Sequence, residues 1–380
     1  MLVGLLGAVP PCAIAQVIAE GNLAASRLPE MAALLAAQPR WSLSTEVETA
    51  FGYKDNLLLS SRDEERSAFV RGGAEVFLMN TPRGKVDYSL LAQVEGTRFF
   101  SGRTVDHEAE AWLQSELGYR LTETFKLSLV VTGYYFDQVL DQSDTTAARI
   151  IARYKVGGAM AGPMVRWAFH RAWWIEGQAV GERKRYDDEA NDSRIDAGSV
   201  RLGWRVVPQV EARLELQEKW YRFDERVKYS PAGRALSGTE LRIAEREGEL
   251  RVDVDWDKAR RWKTSTRVGV LRYRDNGSGY FSNDRKKIGH EVTWKGEAWL
   301  VRLDAIAERV EFRVQTVGIG IDPPPRIKDE VSAKLRIERK LSERWTIFAR
   351  YNWERTRSND QIASFNVNEG LLGARWSWEK

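Results

Sequence analysis

The segment Ser42-Leu-Ser-Thr-Glu-Val-Glu-Thr-Ala-Phe-Gly-Tyr53 alternates strictly between two kinds of side chain. Leu43, Val47 and Phe51 fall on one face of an extended strand, together with two threonines and a tyrosine, because successive side chains of a strand point to opposite faces. The other face carries serine, glutamate, alanine and glycine. The segment therefore predicts a strand with one apolar face and one polar face.

The same period of two recurs up to the C-terminus, most clearly near residues 86–95, 210–217, 249–256 and 331–338. These runs are about 10 to 15 residues long, whereas strands in globular proteins are typically about 5 or 6. A tilted strand that crosses a bilayer needs about this longer length. No amphipathic helix interrupts the pattern after Trp41, so residues 41–380 are predicted to form one all-β domain.

The connections between these runs alternate in length, which predicts an antiparallel up-and-down barrel of about 16 strands, with 14 to 18 possible. Seven connections are short, near residues 80–84, 121–124, 170–172, 207–209, 257–261, 295–297 and 341–344. Eight are longer, near residues 54–65, 101–106, 137–146, 187–194, 225–239, 275–286, 317–328 and 357–363. Pro163 is an exception inside a strand pattern and predicts a bulge or a strand end there.

Composition excludes several classes of protein. The chain has 380 residues, 43% hydrophobic and 29% charged, so it is not intrinsically disordered. After Glu20 no apolar run approaches the roughly 18 residues of a membrane-spanning helix. Lys and Arg (58) nearly balance Asp and Glu (54) without forming a basic block, which argues against a nucleic-acid partner.

Residue types that carry chemistry are sparse. The single cysteine, Cys12, excludes an intrachain disulfide and a multi-cysteine metal site, and the three histidines lack metal-ligand spacing. There is no glycine-rich phosphate loop or nucleophile elbow. We therefore expect no cofactor and no enzymatic activity, and a membrane-bound hydrolase is kept only as a third hypothesis.

The N-terminus reads as a targeting segment. Leu2–Val9 is apolar, and Ala13-Ile14-Ala15 fits a cleavage site, so residues 1–15 are predicted to be a signal peptide. Residues 16–40 are then a periplasmic segment with a short helix over Met31–Ala37. This helix could plug a pore, contact an envelope partner or serve as a linker.

A closed sheet of this size encloses more volume than side chains fill, so we expect its polar face to line water and its apolar face to meet lipid. Tryptophans such as Trp41, Trp112, Trp204 and Trp262 fall near predicted strand ends, where interface girdles lie. The predicted lumen residues are Arg71, Glu75, Glu95, Glu116, Arg120, Arg153, Arg213, Glu215, Arg251, Asp253, Asp255, Arg302, Asp304, Lys334, Arg336, Glu338 and Arg350. These charges could set ion preference in a pore or form an ion-pair lattice that stiffens the wall, and both can hold at once.

Over residues 41–380 the chain resembles bacterial outer-membrane β-barrel proteins of the broad porin-like kind. Gly373-Ala-Arg-Trp376-Ser-Trp378 is similar to the terminal pattern by which barrel-assembly machinery recognises a closing strand, and Phe51-Gly-Tyr-Lys-Asp-Asn56 resembles first-strand motifs of porin-like barrels. The resemblance implies an outer-membrane location, contact with outer-membrane lipid and assembly by that machinery.

Two functions follow as hypotheses. The first is a porin-like channel or exporter that passes polar or charged solutes through a water-filled, charged lumen. The alternative is a non-conducting barrel that anchors or assists an envelope or surface assembly, for example in polysaccharide export. The apolar, stiff loop formed by Ile319, Ile321, Pro323, Pro324 and Pro325 is a possible constriction.

Overall fold

The computed structural model describes residues 40–62, 64–80, 84–141, 151–318 and 320–380. The predicted signal peptide and the helix over residues 31–37 lie outside these ranges, so both stay predictions. No helix in the described ranges is long and apolar enough to cross a membrane.

Long strands make up about three quarters of the described chain. They are β1 (Trp41–Lys54), β2 (Ser67–Asn80), β3 (Val86–Phe99), β4 (His107–Arg120), β5 (Phe125–Asp141), β6 (Ile151–His170), β7 (Trp173–Tyr186), β8 (Ser193–Val207), β9 (Val210–Phe223), β12 (Arg242–Asp255), β13 (Trp262–Asp275), β14 (Asn283–Lys295), β15 (Trp299–Thr316), β16 (Pro325–Lys340), β17 (Trp345–Ser358) and β18 (Phe365–Glu379). The connections hold a small hairpin, β10 (Lys228–Tyr229) with β11 (Ala235–Leu236), and two 3-10 turns, Glu189–Asn191 and Gln361–Ala363.

The sixteen long strands form one closed antiparallel barrel, which confirms the predicted fold and strand number. Each strand pairs with its neighbours in sequence, except that β9 pairs with β12 because the β10–β11 hairpin lies between them. The ring closes where β1 pairs with β18, with Val47 opposite Trp376 and Phe51 opposite Leu372. Closure pairs every strand on both sides, so the barrel has no free edge.

The apolar face of the barrel points outward. Leu250, Val268 and Ile288 form a row across β12, β13 and β14, and each is about half exposed. Val47 and Phe51 on β1 are exposed in the same way. A wide apolar outer face of this kind matches hydrocarbon rather than water.

Tryptophans form a girdle on the outer face at the end of the barrel where the short turns lie. Trp173 stacks on Trp204 with ring centroids 5.1 Å apart, and Trp262 lies beside Trp294 at 6.1 Å. Trp41 at the start of β1 is in the same belt. Such belts mark the interface between hydrocarbon and water. The prediction that Trp112 lies near a strand end is wrong. Trp112 lies in the middle of β4 on the inner face, where its ring stacks on Tyr134 with centroids 5.7 Å apart.

Pro163 lies within β6 rather than at its end. It is opposite Leu129 of β5 and cannot donate a ladder hydrogen bond to either neighbour. Beside it, Gly162 is packed so closely against β7 that a Cβ atom there would collide with the carbonyl oxygen of Ala179. The glycine therefore permits the close approach of the two strands at the proline.

Gly162→Ala is expected to destabilise the barrel by about 1–3 kcal/mol, because the backbone of β7 would have to move to admit a methyl group. Gly181→Ala is the matched control, since a Cβ atom at Gly181 meets open space. Urea unfolding of both refolded variants in detergent micelles measures the difference. Equal urea concentrations at the unfolding midpoint for the two variants would show that the contact between Gly162 and β7 does not limit the size of the side chain at this position.

Candidate functional site

The inner wall carries the polar side of every strand. The structure places all of the predicted lumen residues except Arg153 on this face. The residues on the inner face are Arg71, Glu75, Glu95, Glu116, Arg120, Arg213, Glu215, Arg251, Asp253, Asp255, Arg302, Asp304, Lys334, Arg336, Glu338 and Arg350. They come from strands all around the barrel, so the charge lines the whole wall.

The prediction that Arg153 lines the lumen is wrong. Arg153 has the same parity on the β5–β6 pair as the outward-facing Tyr135, and it lies near the end of these strands, where β5 reaches over the mouth. At the rim of the barrel it binds Asp137 at 2.6 Å and lies 2.7 Å from His107 Nε2. Arg153 lies near the start of β6, and Pro163 within the same strand hid the parity of the strand in the sequence.

The rim carboxylate Asp106 completes this group. Its side chain binds His107 Nδ1 at 2.6 Å and Arg98 at 2.7 Å, and these hydrogen bonds lower the pKa of Asp106 to about 2. The carboxylate therefore stays charged over the physiological pH range.

Around β18, β1, β2 and β3 the inner charges form a dense ion-pair lattice. Arg71 binds Glu369 at 3.1 Å and Glu95 at 3.2 Å, and it also donates to Thr97 at 2.9 Å. The side chains of Arg71 and Glu369 are only 9% and 10% exposed. Both charges are buried in the wall, so each depends on the other in place of water.

The lattice continues through β16 and β17. Glu48 lies 3.4 Å from Arg350 and 3.6 Å from Arg336. Glu338 joins Arg336 at 2.5 Å to Arg375 at 2.7 Å. Arginines and glutamates thus alternate along the wall and neutralise one another.

The opposite side of the barrel repeats the arrangement. Arg201 lies between Glu176 at 2.6 Å and Glu215 at 3.0 Å, and Arg213 binds Asp253. Most partners belong to strands that are adjacent or two positions apart, so the pairs run along the wall rather than across the lumen. The sequence left open a pore lining and a stiffening lattice, and the geometry shows that the charges form such a lattice.

A few inner charges remain outside the lattice. Within the described part of the chain, Glu75 and Glu110 have no cation within ion-pair distance, and Lys334 has no carboxylate partner. Glu75 and Glu110 belong to β2 and β4, whereas Lys334 belongs to β16. Glu354 of β17 faces inward next to β16 and likewise has no cation within ion-pair distance in the described chain, so charges outside the lattice occur on both arcs of the wall.

Two apolar clusters occupy the inside of the barrel toward the long-loop end, and the sequence pattern did not predict them. In the first, Leu57 from the β1–β2 connection and Val105 from the β3–β4 connection pack onto inner-face side chains such as Phe69, Phe99 and Phe365. We call it the first mouth cluster. It consists of Ala50, Leu57, Leu59, Phe69, Phe99, Val105, Val139, Phe348, Phe365, Val367 and Leu371, with Leu58 at its edge.

The second mouth cluster lies on the β9–β13 side. Tyr280 and Phe281 from the β13–β14 connection and Tyr229 from β10 pack over inner-face residues at the tops of these strands. The guanidinium of Arg226 covers Phe281 at 5.0 Å. The cluster consists of Leu241, Ile243, Tyr273, Tyr280 and Phe281, with Tyr221, Phe223, Tyr229 and Leu271 packed against it. The two clusters narrow the mouth from different sides.

One ion pair spans the mouth. Lys328 of β16 binds Asp141 at the end of β5 at 2.6 Å and Glu330 at 2.6 Å, and its side chain is only 2% exposed. The shorter way around the barrel from β5 to β16 passes β4, β3, β2, β1, β18 and β17. The end of β5 therefore reaches over the lumen to the far wall.

The loop predicted as a constriction is largely exposed to solvent where it is described, with Pro323 half-buried. Ile319 lies outside the described residues, Ile321 is fully exposed, and Pro324 and Pro325 are also exposed. A hydrogen bond from Val317 N to Pro324 O closes this turn beyond the wall. The lumen is approached instead by the end of β5 and the mouth clusters, so this loop is not carried into the proposed function.

The residues of the predicted assembly signal lie at the closure of the barrel. Trp376 and Trp378 point outward from β18 in the tryptophan girdle, opposite Val47 and Thr45. Gly373 faces inward, where a Cβ atom would collide with Phe348 and the backbone of β1. Packing thus gives a structural reason for the glycine, and recognition by assembly machinery stays a prediction.

The three histidines lie far apart. His107 is at the rim, His290 is on the outer face beside Thr266 at 2.9 Å, and His170 accepts a hydrogen bond from Ala172 N in a short turn. Among the described residues no group of three or more His, Cys, Asp and Glu side chains could hold a metal ion.

No protein-family description matches the chain, and no curated protein matches it in sequence. Solved structures do share its fold. OccAB1 of Acinetobacter baumannii is 11% identical over 89% of this chain and 96% of its own, with a TM-score of 0.51. OccAB3 of the same organism is 8% identical over 89% and 99%, with a TM-score of 0.48.

The outer-membrane protein OmpT of Vibrio cholerae is 12% identical over 90% of this chain and 99% of its own, with a TM-score of 0.46. The likeness to OccAB1 supports the fold alone. Together with the closed ring and the apolar outer face, it makes this chain a β-barrel of the bacterial outer-membrane type.

Arg71→Met is expected to destabilise the barrel by about 3 kcal/mol, because it leaves Glu369 and Glu95 charged and unpaired in the wall. Arg98→Met at the exposed rim pair with Asp106 is the matched control, with an expected loss below about 1 kcal/mol. Urea unfolding in micelles measures both. Adding Glu369→Gln to Arg71→Met should recover part of the loss, and a loss no larger than in the control would contradict the account.

Proposed function

We propose that the barrel is a channel that passes polar or charged solutes across the outer membrane. The observation that carries the proposal is the inner wall, where paired charges line a closed ring of sixteen strands. A ring of this size leaves an interior wider than its own side chains fill, and a charged wall favours water in that space.

The ion-pair lattice also bears on selection. Paired charges cancel at a distance, so they offer polar contacts without a strong preference for one sign of ion. Glu75, Glu110 and Lys334 add single unpaired charges of both signs to this wall. A solute with both signs of charge, or with many hydroxyl groups, suits such a wall.

The mouth sets the size limit in this proposal. The two mouth clusters narrow the lumen with apolar side chains, and the Asp141–Lys328 pair crosses the remaining space. An ion pair across a mouth can break and re-form when the hairpin that carries Asp141 moves. The β5–β6 hairpin is thus the part of the barrel that would regulate passage.

The same mouth supports the second candidate function. If the clusters and the Asp141–Lys328 pair close the lumen completely, the barrel would be a non-conducting anchor for an envelope or surface assembly. Polysaccharide export is one such assembly. The two functions differ in one measurable property, which is conductance.

Planar-bilayer recordings of the refolded protein test the proposal. We expect stepwise conductance from the wild type, and a larger or longer-lived open level from Asp141→Asn, which removes the pair across the mouth. Glu218→Gln is the control, because Glu218 pairs with Arg246 on the outer face and cannot touch a permeating ion. Absence of steps in both the wild type and Asp141→Asn would overturn the channel and favour the anchor.

Two carboxylates of the inner wall that have no cation partner among the described residues, Glu75 and Glu110, give a second prediction. Glu75→Gln with Glu110→Gln should lower the cation-to-anion permeability ratio, because both substitutions remove uncompensated negative charge from one arc of the wall. Reversal potentials in a potassium chloride gradient measure the ratio. Glu218→Gln should leave it unchanged, and an unchanged ratio in the double variant would show that these acids do not face the ion path.

A further inference from the structure

Four cations form a row on the outer face near the long-loop end, just beyond the apolar band. They are Arg246 on β12, Arg272 on β13, Lys286 on β14 and Arg309 on β15. We call them the rim cation row. The neighbouring outer-face positions add further basic residues, Arg242, Arg274 and Arg313, and the acids Glu218, Asp284, Glu311 and Asp329.

The strand register forces like charges together in this row. Arg246 is directly opposite Arg272, and Lys286 is directly opposite Arg309. Arg272 and Lys286 are diagonal neighbours, because Arg272 is paired with Asp284, two residues before Lys286. Like charges in directly opposite positions destabilise a sheet unless something neutralises them.

Carboxylates neutralise only the two ends of the row. Arg246 binds Glu218 at 2.7 Å, and Arg309 binds Glu311 at 2.9 Å. In the described part of the chain, the two central cations, Arg272 and Lys286, have no acidic partner within ion-pair distance. Both side chains are exposed. The centre of the row is therefore an uncompensated positive site.

Directly beneath this site the outer wall is apolar. Val270 is opposite Lys286, and Val268 is opposite Ile288, and the three apolar side chains are 50% to 58% exposed. The long loops of outer-membrane barrels face the cell exterior, so this height corresponds to the headgroups of the outer leaflet. A ligand that contacts both the cations and the apolar residues must carry an anionic group next to Arg272 and Lys286 and a hydrocarbon chain next to Val268 and Ile288.

We propose that Arg272 and Lys286 bind the phosphate of a phosphorylated lipid of the outer leaflet, with its acyl chains over Val268 and Ile288. Arginine and lysine beside each other suit a phosphate, since the guanidinium offers a planar fork and the ammonium a point charge. Continuity of the site with the lipid-facing band selects a lipid over free phosphate. Arg246 and Arg309 extend the positive surface on either side.

Two cations on the other side of the rim have carboxylate partners. There Arg98 is paired with Asp106 at 2.7 Å and Lys155 with Asp187 at 3.8 Å. These two cations also face outward near the long-loop end, on β3 and β6. They provide a matched control, because Arg98→Ala with Lys155→Ala removes the same two charges from positions that already have carboxylates.

The test is native mass spectrometry of the refolded full chain in detergent, titrated with bis-phosphorylated lipid A and, separately, with its dephosphorylated form. We expect the wild type to retain the phosphorylated lipid. Arg272→Ala with Lys286→Ala should weaken binding about 30-fold, from the usual contribution of each basic residue near an anionic headgroup. The control pair and the charge-preserving exchange Arg272→Lys with Lys286→Arg should bind like the wild type.

Four results would overturn the proposal. One is equal binding of the two lipid forms by the wild type, and another is unchanged binding in the double alanine variant. The third is displacement of the lipid from the wild type by inorganic phosphate at the same concentration, which would assign the site to free phosphate. A dimer or trimer lost only in the double alanine variant would likewise show that a second copy of the chain covers the row. The heat-modifiable mobility of each variant on a gel confirms that its barrel has folded.

Discussion

Pairing of β1 with β18 is the constraint on which the rest of the structure depends. Once the ring is closed, every strand has two partners and the alternation along each strand becomes an inside and an outside for the whole molecule. A single register fixes Val47 and Phe51 on the outer face and Glu48 on the inner face. Lipid contact, the charged wall and the tryptophan girdle are all consequences of this one choice.

The charges follow from the same constraint. Inside, the register brings arginines next to glutamates, so that Arg71 and Glu369 compensate each other in the wall. Outside, at the rim, the register places Arg272 directly opposite Arg246, and Arg272 has no carboxylate within ion-pair distance in the described chain. The near balance of 58 basic and 54 acidic residues in the whole chain therefore conceals two different situations: a neutralised lumen wall and a locally positive outer rim.

Period-two patterning was sufficient to predict the fold, the strand number and the facing of most charged residues, because facing is a local property of a strand. It failed where a contact is non-local or a strand is irregular. Arg153 was misplaced because β6 contains Pro163, and Trp112 was placed at a strand end although it stacks on Tyr134 inside. The mouth clusters could not be predicted, since Tyr280 and Phe281 read as loop residues until the β13–β14 connection folds over the lumen.

The central claim is that apolar faces meet lipid and polar faces line water, and adjacent cysteines on one strand test it most directly. Leu113 points outward from β4 and Gln114 points inward. Leu113→Cys and Gln114→Cys, each in a Cys12→Ser background, would be reconstituted in liposomes and exposed to a membrane-impermeant thiol reagent. The account predicts that Gln114→Cys is labelled and Leu113→Cys is protected, and the reverse pattern would contradict it.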